Sequence, residues 1–378
     1  MFLRLLEFLR CPECGGVLEL DPFAARTDSE AFEVLEGLLH CERFHWYPVV
    51  GGIPRMLPDA LTHHWSRLEA HLFASRSDEV RKLVAERRDG VRHRRYDERT
   101  KENFSNEWQH HEVGDRTWGI DLDVRVRTFF LDAIRIPVAD LDGMVMLDAG
   151  CGNGSQSVAY TEFGVEVIAI DLSSGLEHGQ AFRHVREGAR PDQVHFVQGD
   201  LQAPPLAPAS VDIIHSAGVL HHTSDTEETF RRLGPLLRED GTFYVWLYSY
   251  EPVVTPVVNT IRTVTTRIPA PVFARVAGVL GSSFQLFCAA VDSLGVRSYP
   301  RLSRREASLA LMDIFGAPYA HYHSFPEVER WYRDGGFDEV WECNRSRRGF
   351  GVCGRRKALQ VPAVPVSSGP AETSNANG

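Results

Sequence analysis

Three glycines stand at positions 150, 152 and 154, in the segment Met146-Leu-Asp-Ala-Gly-Cys-Gly-Asn-Gly-Ser155. An apolar strand that ends in the acid Asp148 and turns at once through glycines lets a ligand approach bare backbone atoms. A dinucleotide fingerprint would need its third glycine at position 155, which is a serine. The spacing therefore suits a ligand with a charged amino acid end and no pyrophosphate.

Three further apolar runs follow at the spacing of strands that alternate with helices. They are Val165 to Asp171, Val194 to Leu201 and Val211 to Gly218. Such alternation predicts a parallel sheet with a ligand at the carboxyl ends of its strands. Asp171, at the end of the second run, is placed to hold the two ribose hydroxyls of a nucleoside. The alternative for each motif taken singly is a tight turn or an ordinary helix cap.

Taken together, the four segments resemble the motifs of the class I S-adenosylmethionine-dependent methyltransferases. The resemblance implies an α/β fold with a Rossmann-like sheet, parallel except for an antiparallel last strand. It also implies that Asp200 accepts a hydrogen bond from the adenine amino group. The residues assigned to S-adenosylmethionine are Asp148, Gly150, Gly152, Gly154, Asp171, Leu172, Asp200, Leu201 and Ser216.

Two adjacent histidines, His221 and His222, follow the fourth strand, where acceptor and methyl group should meet. Histidine is the side chain best suited to take a proton near neutrality, so both are candidate general bases. The alternative is a helix start in which a nearby hydroxyl or Asp225 caps and a histidine only packs. A second set of candidate contacts, for the substrate, consists of Tyr248, Tyr319, His321 and His323.

Three of the seven cysteines lie in the first 41 residues, as Cys11-Pro-Glu-Cys14 and Cys41. A Cys-x-x-Cys turn points two thiolates at one spot, and His45 completes a Cys₃His set that suits structural zinc. Four protein ligands would leave no open position for catalysis. The alternative is a metal-free ribbon whose thiols are free or form a redox pair.

The same front segment resembles two kinds of protein. The stretch from His45 to Leu57 is similar to the zinc-ribbon activator subunit of transfer RNA and release-factor methyltransferases. The Cys₃His spacing is instead similar to the front of the bacterial ribosomal RNA guanine methyltransferases. Both resemblances imply a small zinc ribbon ahead of the catalytic core.

The chain divides by composition into four parts. We expect a zinc-ribbon domain over 1–57, helices over 58–137 that link and cap the cofactor, a methyltransferase core over 138–357 and a disordered tail over 358–378. The stretches Phe104–Trp108 and Thr117–Gly119 resemble helices that close over the cofactor in small-molecule methyltransferases. An insertion over 251–323 is the expected helical lid, with a dimer interface or a membrane-surface helix as alternatives.

The charge balance limits the partners that we expect. The chain has 378 residues and a net charge of −10, which argues against a surface that generally coats nucleic acid. Residues 81–101 are locally basic, but acids interleave with the bases. The apolar start of the chain contains charges and lacks the cleavage site of a secretory signal peptide. No uncharged segment is long enough for stable membrane insertion. We therefore expect a cytoplasmic protein.

The sequence thus predicts an S-adenosylmethionine-dependent methyltransferase with a small-molecule acceptor of secondary-metabolite or sugar-derivative type. The first alternative is methylation of a guanine ring nitrogen in RNA, which the Cys₃His ribbon and the basic segment favour. The second alternative is a non-catalytic module that binds cofactor and recruits a partner. A homodimer through the insertion is compatible with each of these functions.

Overall fold

The computed structural model describes residues 1–28, 31–69, 98–109, 116–293, 302–346 and 348–356. Within these residues the backbone forms two sheets, one of four strands near the amino terminus and one of seven strands in the core. Most of the basic segment 81–101 and the whole expected tail 358–378 lie outside the described residues.

The amino-terminal sheet is antiparallel and its strands follow one another in chain order. Its strands are β1 (Glu19–Asp28), β2 (Ala31–His40), β3 (Trp46–Val50) and β4 (Ile53–Pro54). Gly51 and Gly52 both have positive φ and make the tight turn between β3 and β4. This is the ribbon that the first 57 residues predict.

The core sheet has the order β10-β11-β9-β8-β5-β6-β7. Its strands are β5 (Val145–Ala149), β6 (Glu166–Asp171), β7 (Val194–Gln198), β8 (Val211–Ala217), β9 (Leu237–Tyr248), β10 (Glu339–Cys343) and β11 (Gly349–Arg355). Strands β5 to β9 are parallel, whereas β11 runs antiparallel to β9 and to β10. The predicted fold class, a parallel Rossmann-like sheet with an antiparallel last strand, is confirmed.

Helices cover the core sheet and fill the expected insertion. They are α1 (Ala60–His63), α2 (Glu98–Gln109), α3 (Leu122–Val126), α4 (Asp132–Ile134), α5 (Ser155–Tyr160), α6 (Leu176–Phe182), α7 (Thr226–Leu233), α8 (Val254–Thr265), α9 (Ala270–Ser293), α10 (Arg304–Gly316) and α11 (Phe325–Asp334). A π-helical turn over Arg127–Leu131 joins α3 to α4. Helices α8, α9 and α10 lie within the predicted insertion.

Strand β9 is irregular near its start. Glu239–Gly241, an Asp-Gly sequence of the kind that commonly forms a turn, lies inside β9, which begins at Leu237. The pairing with β8 shifts register here, because Val211 faces Leu237 whereas Ile213 faces Thr242. Asp240 has φ +61 and forms part of this bulge. The residues that read as a turn are a bulge in a continuous strand.

The ribbon packs against the edge of the core sheet formed by β7. Arg55 forms a parallel bridge with Gln198, and the Met56 amide donates to the Gln198 carbonyl at 2.7 Å. The Arg10 amide donates to the Pro205 carbonyl at 2.9 Å. The bond from Met56 satisfies a carbonyl that the edge strand β7 would otherwise leave open.

Candidate functional site

A cavity opens at the carboxyl ends of β5, β6 and β8, where the strand order reverses on either side of β5. Its floor contains residues of the glycine turn after β5, and its walls come from α2, from the loop after β8 and from Tyr319 at the exit of the insertion. Ligands of open α/β sheets bind at this kind of position. The topology therefore brings the predicted motifs to one place.

The glycine turn is closely packed at each of its three glycines. A Cβ at Gly150 would overlap with Val219, and one at Gly152 would lie 2.7 Å from the Trp108 ring. All three glycines have positive φ, and Gly154 caps α5 in the left-handed conformation. Only glycine meets both requirements, so the turn keeps its backbone accessible on the cavity side.

Two of the predicted acids line the cavity. Asp171 accepts hydrogen bonds from the amides of Gly152 at 2.7 Å and Ser173 at 2.8 Å. Asp200 accepts from the Gln202 amide at 2.8 Å. Burial raises the pKa of Asp171 above its ordinary value. The predicted leucines that follow these acids, Leu172 and Leu201, also line the cavity.

Asp148 and Ser216, both assigned to the cofactor from sequence, are placed differently. The Ser157 hydroxyl donates to Asp148 Oδ2 at 2.6 Å, and His215 Nδ1 lies 3.5 Å from Asp148 Oδ1. The Ser216 hydroxyl donates to the Ala149 carbonyl at 2.9 Å. Both side chains are directed into the protein and lie outside the cavity lining. In this structure they support the strand ends.

The two histidines occupy different environments. His221 is fully buried and stacks on Tyr248 with ring centroids 3.8 Å apart, outside the cavity lining. Burial, with His222 nearby, lowers the pKa of His221 well below its ordinary value. His222 lines the cavity, but its Nδ1 donates to the Tyr319 carbonyl at 2.8 Å and its Nε2 lies 3.2 Å from Asp313 Oδ1. In this arrangement neither histidine presents a ring nitrogen to the cavity.

The four candidate substrate contacts do not form one cluster in the cavity. Among these described residues Tyr319 lines the cavity, whereas the Tyr248 hydroxyl donates to Asp313. His321 Nε2 donates to the Thr223 carbonyl at 3.0 Å, and His323 Nδ1 lies 3.0 Å from Glu327 Oε1. The bonds of Tyr248 and His321 fasten the end of the insertion to the ends of β9 and β8, whereas the His323 contact is local to the start of α11.

An aromatic wall completes the cavity. Phe104 and Trp108 of α2 lie on one face of that helix, and the Trp108 and Trp118 rings meet edge to face at 6.2 Å. From the sequence, the stretches that contain these residues resemble helices that close over the cofactor in small-molecule methyltransferases. The helical spacing of Phe104 and Trp108 was the available signal, although aromatic residues at such spacing more often form a core.

Arg125 of α3 is a cavity residue that the sequence analysis missed. It is 6% exposed, and its Nη1 donates to Gln156 Oε1 at 3.2 Å. No carboxylate pairs with it among the described residues, and its buried Nε has no hydrogen-bond partner there. Burial lowers the pKa of Arg125 to about 10, so the side chain keeps its charge near neutrality. A buried, unpaired cation in a cavity favours an anionic ligand group.

The four predicted metal ligands converge in the ribbon. The ligand atoms of Cys11, Cys14, Cys41 and His45 all lie within 4.8 Å of one another. Cys14 Sγ is 3.7 Å from Cys41 Sγ, and Cys11 Sγ is 3.2 Å from His45 Nδ1. Tetrahedral zinc with thiolate ligands would need separations of roughly 3.8 Å. The donor set and its spacing therefore fit a structural metal ion.

Two segments of the chain match known protein families. Residues 147–245 match the family described as Methyltransferase domain, and residues 3–52 match the family described as Trm112p-like protein. The chain carries a Trm112p-like domain followed by a methyltransferase domain. Both resemblances stated from the sequence, to methyltransferases and to an activator-like ribbon, are confirmed.

Two curated relatives match about a quarter of the chain. The probable S-adenosylmethionine-dependent methyltransferase CRG1 of Saccharomyces cerevisiae is 32% identical over 106 residues, which are 27% of this chain and 35% of that protein. The malonyl-[acyl-carrier protein] O-methyltransferase of Enterobacter lignolyticus is 34% identical over 96 residues, 25% of this chain and 36% of that protein. The chain thus spans about a third of the length of these two relatives.

Solved structures with similar chains include two of note. Magnesium protoporphyrin IX methyltransferase from Synechocystis, solved with bound SAH, has 16% identity and a TM-score of 0.38, covering 62% of this chain and 82% of that chain. The complex of the Haloferax volcanii Trm112 methyltransferase activator with a methyltransferase has 15% identity and a TM-score of 0.37, covering 62% and 91%.

Proposed function

We propose that the chain transfers a methyl group from S-adenosylmethionine to a small-molecule acceptor. The observation that carries this proposal is the placement of Asp171, Asp200 and the glycine turn around one cavity of a methyltransferase domain. The two curated relatives described above are named as methyltransferases, and each is matched over about a third of its length. The substrates of these relatives form no part of the proposal for this chain.

The polar groups of the cavity fit the parts of the cofactor. Asp171 already accepts two backbone hydrogen bonds, yet each carboxylate oxygen has a further lone pair for a ribose hydroxyl. Asp200 faces the same cavity and is suited to accept from the adenine amino group. Arg125 supplies the cation that the methionine carboxylate needs, which explains a buried guanidinium without an acid partner in the described part of the chain.

The chemistry asks mainly for positioning. The cofactor, when bound, supplies an activated methyl group on a sulfonium, and in-line transfer needs little covalent help from the protein. Phe104, Trp108 and Trp118 narrow the cavity and exclude water from its apolar side. Because both nitrogens of His222 face protein atoms, we propose that this residue positions Tyr319 and does not take a proton from the acceptor.

The acceptor class rests on the shape and charge of the site. Aromatic rings and Tyr319 line the cavity, which favours a small, partly apolar molecule over a polynucleotide. The Trm112p-like domain favours the second candidate, an RNA acceptor. An RNA acceptor would bind with strong salt dependence because phosphates dominate such affinity. Binding to transfer RNA and ribosomal RNA fragments across a salt series separates the two candidates.

We also propose that Cys11, Cys14, Cys41 and His45 hold a structural zinc ion. Glu13 Oε2 lies 3.6 Å from His45 Nε2 and orients the ring, as acids commonly do for histidine ligands. Metal analysis of purified protein should give one zinc per chain, and His45→Ala should lower that content. The control His63→Ala alters an exposed histidine and should leave zinc unchanged.

Two measurements test the proposed activity. Adenosylhomocysteine should release or take up heat on titration and should raise the melting temperature. Tritium from labelled cofactor should then transfer to a component of a small-molecule extract. Binding without transfer to any extract would favour the non-catalytic alternative, and the absence of binding would refute the whole assignment.

A further inference from the structure

The long helix α9 exposes apolar side chains along its outer face. Val279 is 74% exposed, Leu286 is 71% exposed and Phe287 is 62% exposed. Val272, Val276 and Leu280 are exposed on the same helix, at a spacing that places them on one side. We call these six residues the outer face of α9. A contiguous apolar surface of this kind marks an interaction site in a folded protein.

The opposite side of α9 is packed on the protein. Phe273 and Ala277 are buried, and a Cβ at Gly281 would collide with the backbone of α10. Arg304 of α10 donates to the Gly278 carbonyl at 3.2 Å. By length and composition Ala270–Val291 is a candidate membrane span. Spanning a bilayer would require α9 to give up this packed side, so the structure favours a helix that lies along a surface.

The stretch of chain that contains α8 and nearly all of α9 has a charge of opposite sign to that of the whole chain. The sequence contains no acid from residue 252 to residue 291, although the net charge of the protein is −10. Arg267 and Arg275 are exposed, and neither forms an ion pair with the residues that the structure describes. Arg262 is instead buried and donates to the Ile314 and Ala317 carbonyls at 2.7 Å. Arg275 therefore lies on α9 itself, and Arg267 lies in the turn that precedes it, close in sequence to the apolar residues of the outer face.

We propose that the outer face of α9 docks on an anionic lipid surface, with the helix lying in the plane of the headgroups. Apolar side chains would enter the interface, while Arg267 and Arg275 would contact acidic headgroups. Charge argues against a second copy of the chain as the occupant. A two-fold contact through this face would bring Arg275 of both copies together, and residues 252–291 contain no acid to offset that charge.

Vesicle flotation of the full chain tests this proposal. We expect the protein to float with vesicles that contain one quarter phosphatidylglycerol in phosphatidylcholine, and to remain behind with phosphatidylcholine alone. The double variant Arg267→Gln/Arg275→Gln should lower the partition coefficient roughly thirtyfold, from about 1 kcal/mol for each arginine near the surface. Raised salt should lower binding of the unaltered chain and leave that of the variant almost unchanged.

A matched pair of variants tests the apolar part. Val279→Glu should abolish flotation, whereas Val185→Glu, at a site 75% exposed but outside the insertion, should float normally. Both should bind adenosylhomocysteine as the unaltered chain does, so docking can fail without the proposed function failing. Equal behaviour of the two variants, equal binding to neutral vesicles, or a solution dimer that Val279→Glu dissociates without vesicle binding would overturn the proposal.

Discussion

Glu33 of β2 and Arg183 at the end of α6 form an ion pair across the boundary between ribbon and core, with 2% of each side chain exposed. Glu33 also lies 3.3 Å from the amino terminus and accepts from Arg26 at 2.8 Å. Removing one member of a buried pair leaves the other charge without compensation. This contact therefore links the stability of the ribbon to that of the core.

The first prediction concerns that pair. We expect Glu33→Gln to lower the free energy of unfolding by about 3 kcal/mol, because Arg183 loses its buried counter-charge. Chemical denaturation measures the change. The control Glu227→Gln removes a pair with exposed Arg231 and should cost less than about 1 kcal/mol. Equal losses for the two variants would contradict the buried-pair interpretation.

The same residue predicts a pH dependence. Burial raises the pKa of Glu33, but Arg183 and the amino terminus outweigh burial and lower it from 4.5 to about 2. The stabilisation is therefore complete above pH 4.5 and is lost as pH falls from there towards 2. The difference in stability between the unaltered chain and Glu33→Gln should shrink over that window. A constant difference would argue against the shifted pKa.

Asp171→Asn tests the ribose assignment. The amide keeps the shape and one acceptor but loses the charge, so we expect affinity for adenosylhomocysteine to fall roughly tenfold to a hundredfold. Isothermal calorimetry gives the affinity, and circular dichroism checks the fold. Asp142→Asn removes an exposed acid and should bind normally. Unchanged affinity in Asp171→Asn would refute the assignment.

Arg125→Gln tests whether the buried guanidinium holds a carboxylate. Adenosylhomocysteine carries that carboxylate, whereas methylthioadenosine lacks the whole amino acid end. We expect the affinity for the first ligand to fall by roughly tenfold to a hundredfold and that for the second to change by less than about twofold. Equal losses for both ligands would show that the substitution distorts the cavity instead.

Gly152 and Gly51 form a matched pair for the glycine turn, since their φ angles are +59 and +62. Alanine at either position costs about 1 to 2 kcal/mol of backbone strain. At Gly51 no atom lies within 4 Å of the added Cβ, whereas at Gly152 the Cβ meets Trp108 at 2.7 Å. We expect Gly152→Ala alone to weaken cofactor binding. A similar loss in Gly51→Ala would show that strain, and not the displaced indole, is responsible.

His222→Gln tests the positioning role. We expect kcat to fall by less than about a hundredfold, because loss of a general base lowers the rate by roughly a hundredfold to ten-thousandfold. We also expect the pH–rate profile to keep its shape. His221→Gln should act mainly on the melting temperature, since that ring is buried against Tyr248. Loss of an acidic limb in either variant would identify a base and contradict the proposal.

Local motifs predicted the fold, and several of the residues that they singled out line one cavity. The four strand ends, three of which carry an acid, show their signal within a few residues, and parallel strands bring those ends to one edge. The Cys₃His set was likewise readable from spacing, and its ligand atoms converge as expected. These features depend on short segments whose geometry is set by neighbouring residues.

The remaining site residues depend on tertiary placement. Arg125 lies about twenty residues ahead of β5, and nothing in its local sequence shows that α3 turns it towards the cavity. Asp148 has the sequence position of a ligand contact, but Ser157 of α5 draws its carboxylate inward. Asp313, which contacts His222 and sets the orientation of its ring, lies in α10 near the end of the insertion. Such contacts between distant segments leave no pattern in the local sequence.

The bridge from Arg55 to Gln198 joins the ribbon to the sheet edge within one polypeptide. An association between separate subunits weakens on dilution, whereas a tethered one keeps a fixed effective concentration. The fraction of molecules in which the ribbon covers the β7 edge is therefore independent of the protein concentration.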